Sequence, residues 1–360
     1  MKRSLSVILC ILISITALSA EEAYLNGENS LSIIAGFGDT AFTFEDNIIP
    51  SNSTSFTVET DNLSFWTSLT LTEEGGEFSL NRLSYLWTLD DHTQLTLGRQ
   101  GLLTGYGYGW NPIDLFSEIK DPADPEADRM GIDAVSILYD DWDRFIGRAV
   151  LFLDSDFLCG TPSWSDISVG AETTLLLDSS EIKLTALAEL TGVGENLVLT
   201  AGLGTYLDIA GAGVYMEINT DLDILGGIEY FFENGMSMII EYFYHQEGLD
   251  LSERQNYFTE VFADSTLLEA FVPGYFAEHY ILSNLSYSFY EYQTDVNLST
   301  LYSPDSNSLM VAPMASVYTD SGLVIEGGYV GIYSLKENEF NEADLSPFEH
   351  AIQIGCSYAF

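Results

Sequence analysis

Acid–base chemistry in this chain would start from its four histidines, His92, His245, His279 and His350. None sits in a local motif that sets a nucleophile, a base and an orienting group side by side, as hydrolysis requires. His245 and His279 bracket a long connection, with Glu247 and Glu278 close in sequence. Metal or acid–base chemistry there needs the fold to bring them together at a rim. Cys159 and Cys356 have no His or Asn/Asp constellation beside them, and Cys10 lies in the N-terminal apolar segment. The run Gly105-Tyr106-Gly107-Tyr108-Gly109 has the glycine spacing of a nucleotide loop but lacks a basic residue and a following helix. Asp121, Asp124, Glu126 and Asp128 offer carboxylate oxygens of the kind calcium takes. Two prolines interrupt them and their spacing is not that of an EF-hand, so a solvated acidic loop is the simpler reading. These residues predict no enzyme, no metal and no cofactor.

The charge balance narrows the partners. With 55 Asp and Glu against 11 Lys and Arg, the formal net charge is −44. Phosphate recognition needs clustered cations, so nucleic acid is excluded, whereas small cations are attracted. A hydrophobic fraction of 46% argues against disorder. Met1-Lys2-Arg3, an apolar run and then Ala17-Leu18-Ser19-Ala20 predict a secretory leader, residues 1–20, cleaved after Ser19 or Ala20. Residues 21–360 are expected to form one domain. They contain no run of about 18 apolar residues, so any membrane crossing is not helical.

The elements that would carry these residues are strands. Runs of eight to twelve residues with period-two alternation recur, separated by turn residues. The count is roughly 16–18, with the ambiguity before Thr72. There a first strand is expected at 31–44, followed by 53–60 and 63–72 as one long strand or two. Short turns at 90–91, 178–180, 209–213, 233–235 and 320–322 alternate with long connections at 101–131, 158–166, 248–274 and 336–349. Residues 251–271 carry helix-like spacing inside one of these connections. In the last strand Ile352, Ile354, Cys356, Tyr358 and Phe360 share one face, while Gln353, Gly355 and Ser357 share the other. Gln353, Gly355, Tyr358 and Phe360 resemble the C-terminal sorting signal of bacterial outer-membrane β-barrels. That resemblance implies recognition by the barrel assembly machinery and residence in outer-membrane lipid. The expected fold is all-β, a transmembrane antiparallel up-and-down barrel with short periplasmic turns and long external loops.

Alternation then assigns faces. Charges facing hydrocarbon are costly, so Arg82, Arg148, Glu181, Lys183, Glu189, Glu217, Glu229, Glu241 and Glu326 are expected to point inward and line the lumen. Two readings of the interior compete, a water-filled pore and a barrel packed with side chains; a strand number of 16–18 favours the pore. The stretch from Arg99 through Trp110-Asn111-Pro112-Ile113-Asp114-Leu115-Phe116 to Arg129 is similar to a segment of porin-like outer-membrane families. The resemblance implies that loop 101–131 folds into the lumen as a constriction built from Arg99, Trp110, Asp114, Phe116, Asp121, Asp124 and Arg129. An external cap is the alternative. The leading expectation is a channel for passive diffusion of small solutes, biased to cations or neutral polar molecules. Its rival is a non-conducting surface barrel whose external loops bind a partner. A barrel hydrolase is a third reading, which the scattered histidines do not support.

Overall fold

The structure, a computed structural model, describes residues 24–37, 47–72, 75–127, 129–153, 168–190, 197–263, 274–336, 345 and 349–359. The expected leader, Asp128, Cys159 and Phe360 lie outside the described residues. The strands are β1 Tyr24–Phe37, β2 Asn47–Glu59, β3 Leu63–Thr72, β4 Gly75–Thr88, β5 Thr93–Gln100, β6 Ile132–Asp140, β7 Phe145–Phe152, β8 Ser168–Leu177 and β9 Ser180–Leu190. They continue as β10 Leu197–Ile209, β11 Ala212–Asn219, β12 Ile224–Phe231, β13 Met236–Tyr244, β14 His279–Phe289, β15 Thr294–Ser303, β16 Ser308–Tyr318, β17 Leu323–Ser334 and β18 His350–Ala359. Each pairs antiparallel with the next, and β18 pairs with β1, from Glu28 opposite Ala359 to Phe37 opposite His350. The sheet therefore closes into an 18-stranded barrel with no free edge. No helix among the described residues is long and apolar enough to cross a membrane.

The pleat sets the two surfaces. On β13, Ile240 and Tyr242 are exposed on the outer wall, whereas Glu241 and Phe243 are buried inside. On β18, Ile352, Ile354 and Tyr358 are outside. Leu184, Leu203, Ile228 and Ile325 continue the same apolar exterior. So much exposed aliphatic surface needs hydrocarbon around it. Trp87, Tyr139, Phe231 and Phe289 stand near the short-turn end, and Tyr242 and Tyr333 near the loop end, as two aromatic girdles. A bulge keeps β4 in register with this pattern. Trp66 pairs with Arg82 but Thr67 pairs with Leu80, leaving Asn81 as the extra residue. The pleat resets there, so Leu80 and Leu83 both stay outside.

Turns follow local chemistry. The β10–β11 hairpin closes through Ala210 and Gly211, both at positive φ, with Gly211 N–H donating to Asp208 at 3.0 Å. One helix, α1 (Leu251–Ala263), lies in the β13–β14 connection. Asp250 caps it: its carboxylate accepts from the amides of Ser252 and Glu253, while Glu253 accepts from Asp250 N–H. The sequence places a helix here but extends it to 271, and residues 264–273 are not described. At the N-terminal side, the first strand begins at Tyr24 rather than 31, and the doubtful stretch before Thr72 holds three strands. Polar side chains on both faces of β1 and β2 erase the contrast on which alternation depends.

A candidate constriction inside the barrel

Loop 101–131 enters the barrel, and two glutamates hold it there. Glu217 on β11 accepts from the backbone amides of Tyr106, of Gly107 at 3.2 Å and of Ile113 at 3.4 Å. Glu241 on β13 accepts from the amides of Tyr108 at 2.5 Å and Gly109 at 2.7 Å, and from the Tyr215 hydroxyl at 2.6 Å. Both carboxylates are fully buried. Burying a charge is costly unless charge-assisted hydrogen bonds replace its water, and here amides supply them. The Gly-Tyr-Gly-Tyr-Gly run presents its consecutive N–H groups as an anion nest. The anions it receives are the barrel's own. A β-carbon on Gly107 would meet the Trp110 carbonyl and Leu225, so close approach requires glycine there.

Apolar packing completes the dock. Trp110 is fully buried, stacked on Phe243 with ring centroids 4.9 Å apart, and its indole N–H donates to the Gly274 carbonyl at 3.1 Å. Tyr215, Leu225, Tyr280 and Leu282 form the same cluster. A second cluster sets Leu102 and Phe116 against Ala134, Val150 and Phe152. One ion pair lies within the loop and one joins β5 to β6 beside it; the register of the second, opposite Leu83, puts Arg99 on the outward side of the sheet and not in the expected constriction. Arg99 grips Asp133 with two nitrogens at 2.8 and 3.2 Å, and Arg129 reaches Asp114 at 2.9 Å. Burial pushes the Asp114 carboxyl above its usual range, against the pull of Arg129. Burial likewise holds the Lys120 ammonium below its ordinary range; its Nζ donates to the Gly107 carbonyl at 3.0 Å.

The residues expected to line a lumen thus divide. Glu217 and Glu241 face inward but lie beneath the loop and touch no open space. Arg148 and Lys183 share Glu172, at 3.3 and 3.5 Å, and Lys183 also lies 5.0 Å from the Tyr106 ring centroid. Arg82 lies over the Trp66 ring at 5.6 Å, beside Gly101. Glu229 accepts from the Tyr206 hydroxyl at 2.8 Å. Glu181 and Glu189 are half-buried on the inner face of β9. Glu326 lines an open cavity of about 380 Å³ between the loop and the wall of β14–β17. The loop side of this cavity carries Tyr108, Asp124 and Glu126; the wall side carries Asn284, Asp295, Asn297, Ser299, Ser316 and Glu326. No Lys or Arg lines it. Asp121 is exposed, turning the loop through its bond to the Ala123 amide.

The inner face near this cavity is rich in hydroxyls. Ser30, Ser32, Ser51, Ser53 and Thr70 follow one another across β1–β3, with Ser32 and Ser51 bonded at 2.7 Å and Thr70 donating to Ser53 at 3.4 Å. One side of the interior is accordingly packed around the loop, and an open cavity lies on the side of β14–β17. The signal for the hydroxyl-rich wall lies in the alternate serines of β1 and β2, which count only once their strands are placed.

His245 and His279 are not brought together, although His279 lies with Glu278 and Asp305, whose candidate ligand atoms are all within 4.8 Å of one another. His245 faces inward, with Nδ1 2.7 Å from Asp223 and its ring stacked on Phe243. His279 shares the outer face with Tyr242, whose hydroxyl lies 2.7 Å from its Nδ1. The two imidazoles are on opposite sides of the wall.

An apolar-coated closed barrel with an inward loop is a bacterial outer-membrane β-barrel. No protein-family model matches the sequence, and no curated protein matches it significantly. Solved structures do. Wzi of Escherichia coli, described as an outer-membrane carbohydrate-binding β-barrel involved in group 1 capsule assembly, matches all of this chain over 89% of its own, with a TM-score of 0.56 and 11% identity. Pseudomonas aeruginosa OccD3 matches 95% of this chain over 92% of its own, with a TM-score of 0.54 and 10% identity. A mutant porin of Rhodopseudomonas blastica matches 94% of this chain over its full length, with a TM-score of 0.49 and 11% identity. At such identities these likenesses concern the fold.

Proposed function

We propose that this barrel is a diffusion channel for small solutes that favours cations and neutral polar molecules over anions. The observation that carries the reading is the cavity beside the loop. Asp124 and Glu126 on one side and Asp295 and Glu326 on the other line it, with hydroxyl and amide side chains between and no cationic side chain. A low-dielectric wall around like-signed charges focuses their field and raises the local concentration of counter-ions. The chain's few cations are engaged elsewhere: Arg99, Arg129, Arg148 and Lys183 in ion pairs, and Lys120 on a backbone carbonyl. Neutral polar solutes find hydrogen-bond partners along the serine face.

The test is reversal-potential measurement in planar bilayers under a KCl gradient. Stepwise conductance with cation preference supports the reading, and Glu326→Gln with Asp295→Asn should cut the cation-to-anion permeability ratio roughly twofold or more. A bilayer that stays silent, or an anion preference, overturns it. A second reading rests on another observation. A 250 Å³ pocket lined by Lys120, Asn219, Asp221, Asp223, His245 and Tyr275, among others, mixes aromatic edges with donors and acceptors. Such a lining suits a sugar ring, which is the ligand class of Wzi. A silent bilayer together with saccharide binding that Asp223→Ala abolishes would favour this reading.

A further inference from the structure

At the loop end of the wall the fold joins ligating side chains from two hairpins. His279 opens β14, opposite Tyr244 at the end of β13, and Glu278 precedes it. Asp305 comes from the tight turn between β15 and β16, whose last pair is Ser303 with Ser308. One ligand atom from each of Glu278, His279 and Asp305 lies within 4.8 Å of the others. No spacing in the sequence announces the group, because Asp305 belongs to a different hairpin.

Each ligand is held from behind. The His279 ring is stacked on Tyr242, and the Tyr244 ring centroid is 5.1 Å away. Its Nδ1 lies 2.7 Å from the Tyr242 hydroxyl, which leaves Nε2 free. A hydrogen bond at one imidazole nitrogen fixes the ring and the tautomer that ligates through the other. Glu278 is pinned through its carbonyl, which accepts from the His245 amide at 2.8 Å. Arg254 of α1 donates to the Asp305 carbonyl at 2.9 Å, and the Ser306 amide donates to the Ser303 hydroxyl at 3.3 Å, so the turn is fixed through its backbone. The Asp305 carboxylate is left out of these bonds. Its Oδ2 is buried and accepts no hydrogen bond among the described residues. A buried anionic oxygen without a donor is costly, and a cation is the partner that removes the cost. One imidazole nitrogen and two carboxylates suit a zinc-class ion better than calcium or magnesium, which take shells of oxygen alone. Atoms this close need to draw in by less than about 1 Å to meet one ion at the roughly 2.1 Å of zinc ligation.

We propose that Glu278, His279 and Asp305 bind a divalent ion of the zinc class at the outer rim of the barrel, with a further position open to water or an external donor. The ion ties the start of β14 to the β15–β16 turn, and Tyr242 is a positioning residue for His279. The inference is independent of whether the barrel conducts.

Calorimetric titration of ZnCl2 into the full chain in detergent, with excess MgCl2 to occupy scattered carboxylates, tests it. One zinc per chain should bind saturably, and Co²⁺ in its place should give visible d–d absorption. His279→Ala and Asp305→Ala should each abolish the site, with the heat-dependent electrophoretic mobility of a closed barrel retained. Tyr242→Phe should weaken binding about 10-fold and keep its stoichiometry. His92→Ala and His350→Ala should leave it unchanged. No saturable zinc binding under magnesium, or binding that survives His279→Ala, overturns the proposal. Should the variants fail to fold, carbethoxylation of the unaltered protein decides. Zinc that shields His279 from the reagent supports the site; equal modification with and without zinc, or shielding confined to another histidine, overturns it.

Discussion

Replacing Glu217 with Ala removes the acceptor for three loop amides, and Glu241→Ala removes the acceptor for two amides and a tyrosine hydroxyl. Leaving buried N–H groups without partners should weaken docking of the loop by about 2–4 kcal/mol in each case. The check is twofold: faster hydrogen exchange at residues 106–113, and larger, noisier conductance steps. Glu217→Gln keeps one acceptor oxygen and should fall between. Gly107→Ala should undock the same segment through steric contact, while the strands remain closed. Trp110→Ala removes a fully buried ring and should cost about 3–5 kcal/mol of loop stability. Alternation alone assigns Glu217 and Glu241 to the inner face but says nothing of what lies over that face, and the loop buries both. The amide-rich glycine run is the legible counterpart, but pairing it with carboxylates more than 100 residues away requires the fold.

At the scale of elements, α1 gives a pH prediction. Amides of the first turn, that of Glu253 foremost, hold the Asp250 carboxyl below its ordinary value of 3.8. A depressed carboxyl stabilises the folded helix above that value and stops doing so as pH falls through its lower folded pKa. Amide exchange in residues 251–263 should therefore accelerate only below about pH 3.8. In Asp250→Asn the same window should be flat. Most strands are legible because one face is greasy and the other is not. β1 and β2 are the exceptions, since Asn29, Asn52 and Thr54 put polar groups outside while serines line the inside. A sequence window there carries no period, and only pairing with β18 and β3 fixes its register.

For the whole molecule, a count of 16–18 strands and the alternation of short and long connections are visible in the chain, because each hairpin is marked by its own turn residues. The division of the interior is not, because it depends on where one loop lies. Removing residues 103–128 in favour of a short turn should empty the packed side and raise conductance severalfold, since an 18-stranded barrel is wide enough for an aqueous channel. The loop's grip also bears on the order of assembly. The loop leaves the sheet after β5, yet its carboxylate anchors belong to β11 and β13, so Tyr106 and Tyr108 must find partners 111 and 133 residues downstream. Those partners are absent until the later hairpins have formed, and long-range contacts close last. During insertion the strands up to β10 thus surround an unanchored segment, which is drawn inward only once β11 and β13 have taken their places.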